Sequence, residues 1–69
     1  MPTLHVELFE GRTPAQKAAL AKALTDACVQ VLGGSAAGVD VLFVDVARHN
    51  WSTGGVLWSE QQPAAPKPG

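Results

Sequence analysis

The sequence predicts an α/β (α+β) domain made of a single strand–helix–strand (βαβ) unit followed by a C-terminal hairpin or arm. Three patterns within residues 1–60 lead to this fold class. Apolar residues alternate over residues 3–9, a capped Ala-rich stretch runs from Thr13 to Leu32, and β-branched residues are concentrated over residues 39–46. Because a helix connects the two strands, we expect them to be parallel, with a right-handed crossover.

The first strand is predicted from its alternation. Leu4, Val6 and Leu8 are separated by polar residues, which places the apolar side chains on one face of a strand. The sequence EGR over residues 10–12 then interrupts the pattern, because glycine is typical of a turn.

The helix is predicted from its first residues and from its apolar spacing. Thr13 is suited to the N-cap, Pro14 to the first helical position, and Gln16 to the third, where it completes a capping box. Gly33 and Gly34 are expected to end the helix through a left-handed cap. Apolar residues at helical spacing define one face of it: Leu20, Leu24, Ala27, Cys28 and Val31.

The second half of the chain predicts one more strand, a hairpin and a tail. Residues 39–46 are apolar on both faces in their centre, as is typical of a strand buried on both sides. Gly54-Gly55 separates short apolar pieces and predicts a small hairpin or arm, whose Trp58 we interpret as an anchor at an interface. Residues 61–69, rich in Pro and Ala, are expected to form a flexible tail.

A folded region this short is expected to need a partner for stability. About 60 residues gain only about 3–5 kcal/mol from their own core. The chain has one cysteine, Cys28, which excludes an internal disulfide, and its imidazole and thiol groups lack the spacing of a metal site. Two strands and one helix leave part of the sheet uncovered. The sequence therefore predicts a homo-oligomer.

Charge and hydropathy exclude several classes of partner. The net charge is −1, from 5 basic and 6 acidic residues without a basic cluster, so no nucleic-acid partner is expected. No apolar run approaches the length of about 18 residues that a membrane span needs, and we expect no membrane association. The first residues lack the pattern of a signal peptide, so the expected location is cytoplasmic.

Pro2 is the strongest candidate for chemistry. A small second residue permits removal of Met1, which would leave the proline ring nitrogen as a free secondary amine. Free α-amino groups titrate near about 7.7–8.0, and apolar surroundings or nearby cations lower that value. A base that titrates near neutral pH is suited to proton transfer at carbon. The alternative interpretation is that a proline at position 2 has no function.

The chain resembles the 4-oxalocrotonate tautomerase family. The resemblance rests on Pro2, on EGRTPAQK over residues 10–17 and on NWSTGG over residues 50–55, and extends without a gap to about Glu60. It implies a tautomerase-like domain over residues 1–60 and a hexamer arranged as a trimer of dimers. It also implies an isomerase that works without a cofactor. That enzyme would use Pro2 to move a proton between oxygen and carbon of a 2-hydroxy-dienoate or enol acid.

The same resemblance implies roles for three further residues. Arg12 matches an arginine that binds a substrate carboxylate, usually from a neighbouring subunit. Trp51 stands where the family has a phenylalanine that lines an apolar pocket. The backbone N–H of Phe9 is where the family polarises the substrate oxygen. The expected partner is thus a small carboxylate substrate, and no metal is implied.

Asp40 departs from the family's pattern, because the best-known member has a second arginine at that position. A carboxylate would repel a dicarboxylate substrate, so a monocarboxylate enol fits better than 2-hydroxymuconate. The polarising role is left to Arg48 or another group. As an alternative, Asp40 would act with Pro2 in a hydratase, dehalogenase or decarboxylase. A third alternative is a non-catalytic oligomeric relative.

Overall fold

The computed structural model describes residues 2–61 and confirms the predicted fold class and its main elements. Met1 lies outside the described residues, as does the predicted tail apart from Gln61. The helix and strands are β1 (Thr3–Phe9), α1 (Pro14–Leu32), β2 (Asp40–Val46), β3 (Ser52–Thr53) and β4 (Val56–Leu57). Short 3₁₀ turns lie between or after them at Ala36–Gly38, Arg48–Asn50 and Trp58–Glu60.

Strands β1 and β2 form a parallel pair, as the helical crossover predicts, with Thr3 beside Asp40. At one end the N–H of Asp40 donates to the C=O of Pro2 at 3.0 Å. At the other end the N–H of Glu10 donates to the C=O of Val46 at 3.1 Å. In a parallel ladder, the backbone N–H and C=O groups of every second residue point toward the same neighbouring strand. The even-numbered residues of β1 therefore bond to β2, and the odd-numbered N–H groups point to its outer edge.

The start of α1 has the predicted capping box. The Thr13 hydroxyl accepts a hydrogen bond from the N–H of Gln16 at 3.1 Å, and the Gln16 side chain accepts one from the N–H of Thr13 at 2.9 Å. At the other end Gly33 has the predicted positive φ of 84°, but its ψ of −172° is extended. The expected left-handed cap is therefore wrong. The extended ψ turns the chain away from the helix axis directly after the N–H of Gly33 has donated to Val29.

The helix packs on one face of the sheet. The Lys17 ammonium donates to the Asp45 carboxylate at 2.8 Å, which ties the first turns of α1 to β2. The predicted apolar face is only partly covered, since Val31 remains 81% exposed. The 19 residues of α1 span about 28 Å and the seven of β2 about 23 Å, so the last helical turn overhangs the sheet. No helix within residues 2–61 has the length and apolarity needed to cross a membrane.

The predicted hairpin is formed by β3 and β4. Gly54 and Gly55 have φ angles of 63° and 85°, as a two-residue type I′ turn requires. Trp58 follows the hairpin and folds back onto its own chain, where its indole N–H donates to the Thr53 hydroxyl at 2.9 Å. Its ring also packs beside Phe9 within the chain, and its interpretation as an interface anchor stays a prediction.

The face of the sheet opposite α1 is largely open in the single chain. Leu42 and Val44 are 49% and 44% exposed on this face. Phe9 lies at one end of the same face. Among residues 2–61 it is the one hydrophobic residue that is almost fully buried. Within one chain β2 is therefore covered on one face only, and the burial predicted for both faces would require another copy.

Candidate active site

Phe9 is the centre of an aromatic cluster at the C-terminal end of β1. The centroid of the Trp51 ring lies 4.7 Å from that of Phe9, with an interplanar angle of 55°. The Trp58 ring approaches Phe9 edge-on at 5.5 Å. Tilted and edge-on contacts are the favourable geometries of aromatic pairs, so the cluster forms a well-packed apolar wall.

Arg12 lies at the same end of the sheet, on the side covered by α1. Its half-buried side chain is placed there by the turn that connects β1 to the capping box. A guanidinium suits the carboxylate of a small organic acid. It lines a cavity of about 160 Å³ together with Leu8, Gln16, Lys17 and Leu20.

Trp51 borders a more open groove on the opposite side of the sheet. The groove has a volume of about 390 Å³ and is also lined by Glu7, Val46, Asn50 and Ser52. Two hydrogen bonds fix the Trp51 backbone: its N–H donates to Arg48 at 3.3 Å, and its C=O accepts from Trp58 at 2.8 Å. The indole therefore contacts both Phe9 and the groove from a fixed position.

Pro2 and Asp40 lie together at the N-terminal end of the sheet. Their backbones are joined by the bond from the N–H of Asp40 to the C=O of Pro2. Pro2 is half-buried, whereas Asp40 is exposed and has no ion-pair partner within residues 2–61. The last turn of α1 contains no basic residue. The end of the helix therefore supplies no cation to the Asp40 carboxylate.

Strand β1 separates these two groups of candidate residues. Its seven residues extend about 23 Å, a distance that no arginine side chain can span. The structure brings Phe9 and Trp51 together, with Arg12 at the same end, and it brings Pro2 beside Asp40. It does not bring Pro2 to Arg12 within one chain.

The N–H of Phe9 points to the outer edge of β1. Phe9 is an odd-numbered residue in a strand whose even-numbered residues bond to β2. That edge has no partner strand among residues 2–61. This N–H therefore points away from β2. A group bound at the outer edge of β1 could accept a hydrogen bond from it, which is the geometry that the implied polarising role needs.

Arg48, which the sequence offered only as one option for the polarising role, makes a contact that the sequence did not predict. Its guanidinium carbon lies 4.6 Å from the centroid of the Phe9 ring, a cation–π contact. The loop position before Trp51 suggested only that Arg48 could reach a pocket. The contact itself joins two residues that are distant in sequence, and no local pattern encodes it.

The potential metal ligands do not meet. His5 lies on β1, Cys28 on α1 and His49 in the 3₁₀ turn after β2. Over residues 2–61 no group of three or more His, Cys, Asp or Glu side chains is placed to hold a metal ion.

Comparison with known proteins identifies the family. Residues 2–61 match the model of the family described as tautomerase enzyme. The chain is 38% identical to the 2-hydroxymuconate tautomerase of Pseudomonas putida over 60 residues, which cover 87% of this chain and 95% of the relative.

Two solved structures have the same fold. A crystal structure of a 4-oxalocrotonate tautomerase homologue superposes with a TM-score of 0.81 at 39% identity, covering 90% of this chain and 98% of that one. A heterohexamer 4-oxalocrotonate tautomerase from Chloroflexus aurantiacus superposes with a TM-score of 0.83 at 32% identity, covering 90% and 100%. With its fold, its family match over residues 2–61 and these relatives, the chain belongs to the tautomerase family of isomerases.

Proposed function

We propose that this tautomerase moves a proton between the oxygen and the carbon of a small enol acid, with the amine of Pro2 as the base once Met1 has been removed. The observation that carries the proposal is the position of Pro2, half-buried at the free end of β1 in a chain of this family. The ring holds the nitrogen in a fixed direction, which favours proton transfer. No cofactor takes part, and the proposed location is the cytoplasm, where Cys28 stays reduced.

The proposed active site is shared between chains. Antiparallel pairing of two β1 edges places the N-terminal end of one strand against the C-terminal end of the other. Pro2 of one copy then approaches the Phe9 N–H and the Arg12 end of another. The separation of Pro2 from Arg12 along β1 supports this arrangement, because no single chain can join them.

Charge and exposure support the same assembly. The Pro2 end of the chain carries Asp40, whereas the opposite end carries Arg12 and Arg48 together with Glu10, so opposite charges are available across the proposed contact. The exposed Leu42 and Val44 offer an apolar face for further copies. We propose a homohexamer arranged as a trimer of dimers, and the Chloroflexus relative is itself a heterohexamer.

In the proposed mechanism the neutral Pro2 amine accepts the proton of the enol hydroxyl. The O–H bond breaks, and its electron pair moves through the conjugated system toward carbon. Arg12 holds the substrate carboxylate by paired hydrogen bonds while the Phe9 N–H donates to the oxygen that carries the charge. The protonated amine then transfers the same proton to carbon, so the amine ends neutral and a C=O bond has formed.

Asp40 defines the proposed substrate class. Its backbone is hydrogen-bonded to that of Pro2, and its carboxylate is expected to repel a second negative group at this end of the sheet. A monocarboxylate enol, such as the enol of an arylpyruvate, is therefore preferred over 2-hydroxymuconate, the dicarboxylate in the name of the Pseudomonas relative.

A mass spectrum and a substrate panel test the proposal. The purified protein is expected to lack Met1 and to convert an arylpyruvate enol faster than 2-hydroxymuconate, with a rate governed by one group that titrates near neutral pH. Ultraviolet absorbance follows the loss of each enol. Retained Met1, or turnover of neither enol, would contradict the proposal and favour a non-catalytic oligomeric relative.

The position of Asp40 beside Pro2 supports a second candidate function. A carboxylate at the same end of the sheet as the amine suits the activation of water, as in a hydratase, dehalogenase or decarboxylase. A 3-haloacrylate and a 3-oxo acid are therefore included in the panel. Turnover of these acids without turnover of either enol would replace the tautomerase mechanism by this one.

The apolar face predicts the response of the assembly to charge. Leu42→Asp places a carboxylate on the open face and is expected to shift the protein from hexamer to smaller species, because burial of an unpaired charge is unfavourable. Light scattering at micromolar concentration measures the change. His5→Ala, on the same face in register with Leu42, is the control. A Leu42→Asp protein that stays hexameric would exclude this face as an interface.

A further inference from the structure

We propose that Arg48 is a catalytic residue of this tautomerase, and that its guanidinium stabilises the negative charge on the substrate oxygen together with the N–H of Phe9. The inference rests on the proposed function, since it concerns the same composite site. It assigns to Arg48 the polarising role that the carboxylate at position 40 cannot fill.

The position of Arg48 is set by the fold. It is the first residue of the 3₁₀ turn that follows β2, and the C=O of Arg48 accepts the N–H of Trp51 at 3.3 Å. Its guanidinium lies over the Phe9 ring at 4.6 Å. Phe9 is in turn held by Trp51 at 4.7 Å, so the cation rests on a packed aromatic surface rather than on a flexible neighbour.

The Arg48 guanidinium retains its hydrogen-bonding capacity. No carboxylate among residues 2–61 lies within 4.0 Å of it, whereas Lys17 and Lys22 are paired with Asp45 and Asp26. A cation–π contact engages the face of the guanidinium and leaves the N–H donors at its edges available. A fixed cation with available donors is the arrangement that stabilises a developing anion without reorganisation.

The N–H of Phe9 and the guanidinium of Arg48 lie at the same end of β1, and both are assigned to a single substrate oxygen. One group belongs to the backbone of Phe9 and the other lies on the ring of the same residue. Arg12 occupies the opposite, helix-covered side of the sheet and is suited to the carboxylate. The division assigns the carboxylate to Arg12 and the oxygen that loses its proton to Arg48.

The expected kinetic effect follows from the timing of the charge. The substrate oxygen becomes negative only after its proton has moved to Pro2, so Arg48 acts on the transition state more than on the bound enol. Arg48→Met removes the charge and keeps an apolar stem over Phe9. We expect kcat to fall about 100-fold with KM changed less than about threefold.

Two further variants complete the experiment. Arg48→Lys restores a cation without the planar group. Its kcat is expected to be about tenfold higher than that of Arg48→Met. Lys22→Gln removes a cation from the exposed side of α1, where its hydrogen bond to Asp26 raises the pKa of Lys22 and keeps it charged. This control is expected to leave both kinetic constants unchanged. Urea unfolding and light scattering of each variant monitor stability and assembly.

The outcomes separate Arg48 from the proposed function. Wild-type turnover that depends on Pro2, together with Arg48→Met at wild-type kcat, overturns the role of Arg48 alone. A loss of kcat that Arg48→Lys does not recover, or that accompanies loss of the assembly, identifies a packing role and also overturns it. A rise in KM at unchanged kcat in Arg48→Met also overturns the role, because it assigns Arg48 to substrate binding. Absence of turnover in the wild-type protein refutes the proposed function itself.

Discussion

Pro2→Ala is expected to lower kcat for the preferred enol about 100-fold, with little change in assembly or stability. Alanine is also small enough to permit removal of Met1, so the variant keeps a terminal amine. It lacks the ring that fixes the direction of the nitrogen, and a misplacement of about 1 Å at the reacting atom costs about two orders of magnitude. Steady-state kinetics across pH, with an intact-mass spectrum of the same sample, measure the effect.

Thr3→Ala is the matched control for Pro2→Ala. Thr3 is the next residue, its side chain is exposed, and it pairs with Asp40 through the same end of the sheet. Its replacement is expected to leave kcat within about twofold, since the site needs none of its side-chain atoms. Equal turnover of Pro2→Ala and wild-type protein, both without Met1, would disprove the role of the ring nitrogen.

Mixing two impaired variants is expected to restore activity. Arg12→Ala removes the group that binds the substrate carboxylate, and kcat/KM should fall about 10- to 100-fold. Arg12→Ala and Pro2→Ala chains are unfolded together in equal amounts and then refolded. After random assembly, about one quarter of the sites should contain both an intact Pro2 and an intact Arg12. The measured activity should then rise well above that of either variant alone.

The gain on mixing depends on the two residues coming from different chains. If one chain supplied both, each site in the mixture would lack either Pro2 or Arg12, and no activity would return. Mixing Pro2→Ala with itself after the same unfolding step controls for losses in refolding. Absence of a gain, with assembly verified by light scattering, would refute the shared site.

Local patterns in the sequence were enough to predict the elements that depend on neighbouring residues. The capping box at Thr13 and the two-glycine turn at residues 54–55 are formed by contacts within a few positions. The parallel pairing of β1 and β2 followed from the helical connection, because such a crossover allows little else. The extended ψ of Gly33 was not predictable, since it depends on the direction that the next segment takes.

Side-chain contacts between residues that are distant in the sequence could not be predicted from these local patterns. The packing of Trp58 and Arg48 around Phe9 depends on how the hairpin folds back over the end of β1. The roles of Arg12 and Trp51 came from the family resemblance, whereas Pro2 was already a candidate because removal of Met1 would leave its ring nitrogen as a free amine. The distance between Pro2 and Arg12 follows from β1, which is an unbroken strand over the residues that the alternation predicted.

The length of β1 also affects how genes for such chains can diverge after duplication. Pro2 and Arg12 lie at opposite ends of this strand, so a mutation at one end leaves the other end intact. With the proposed shared site, one daughter gene can lose the proline while its sister loses the arginine, provided that the two products still associate. Each gene becomes indispensable to the other, without any gain of a new residue.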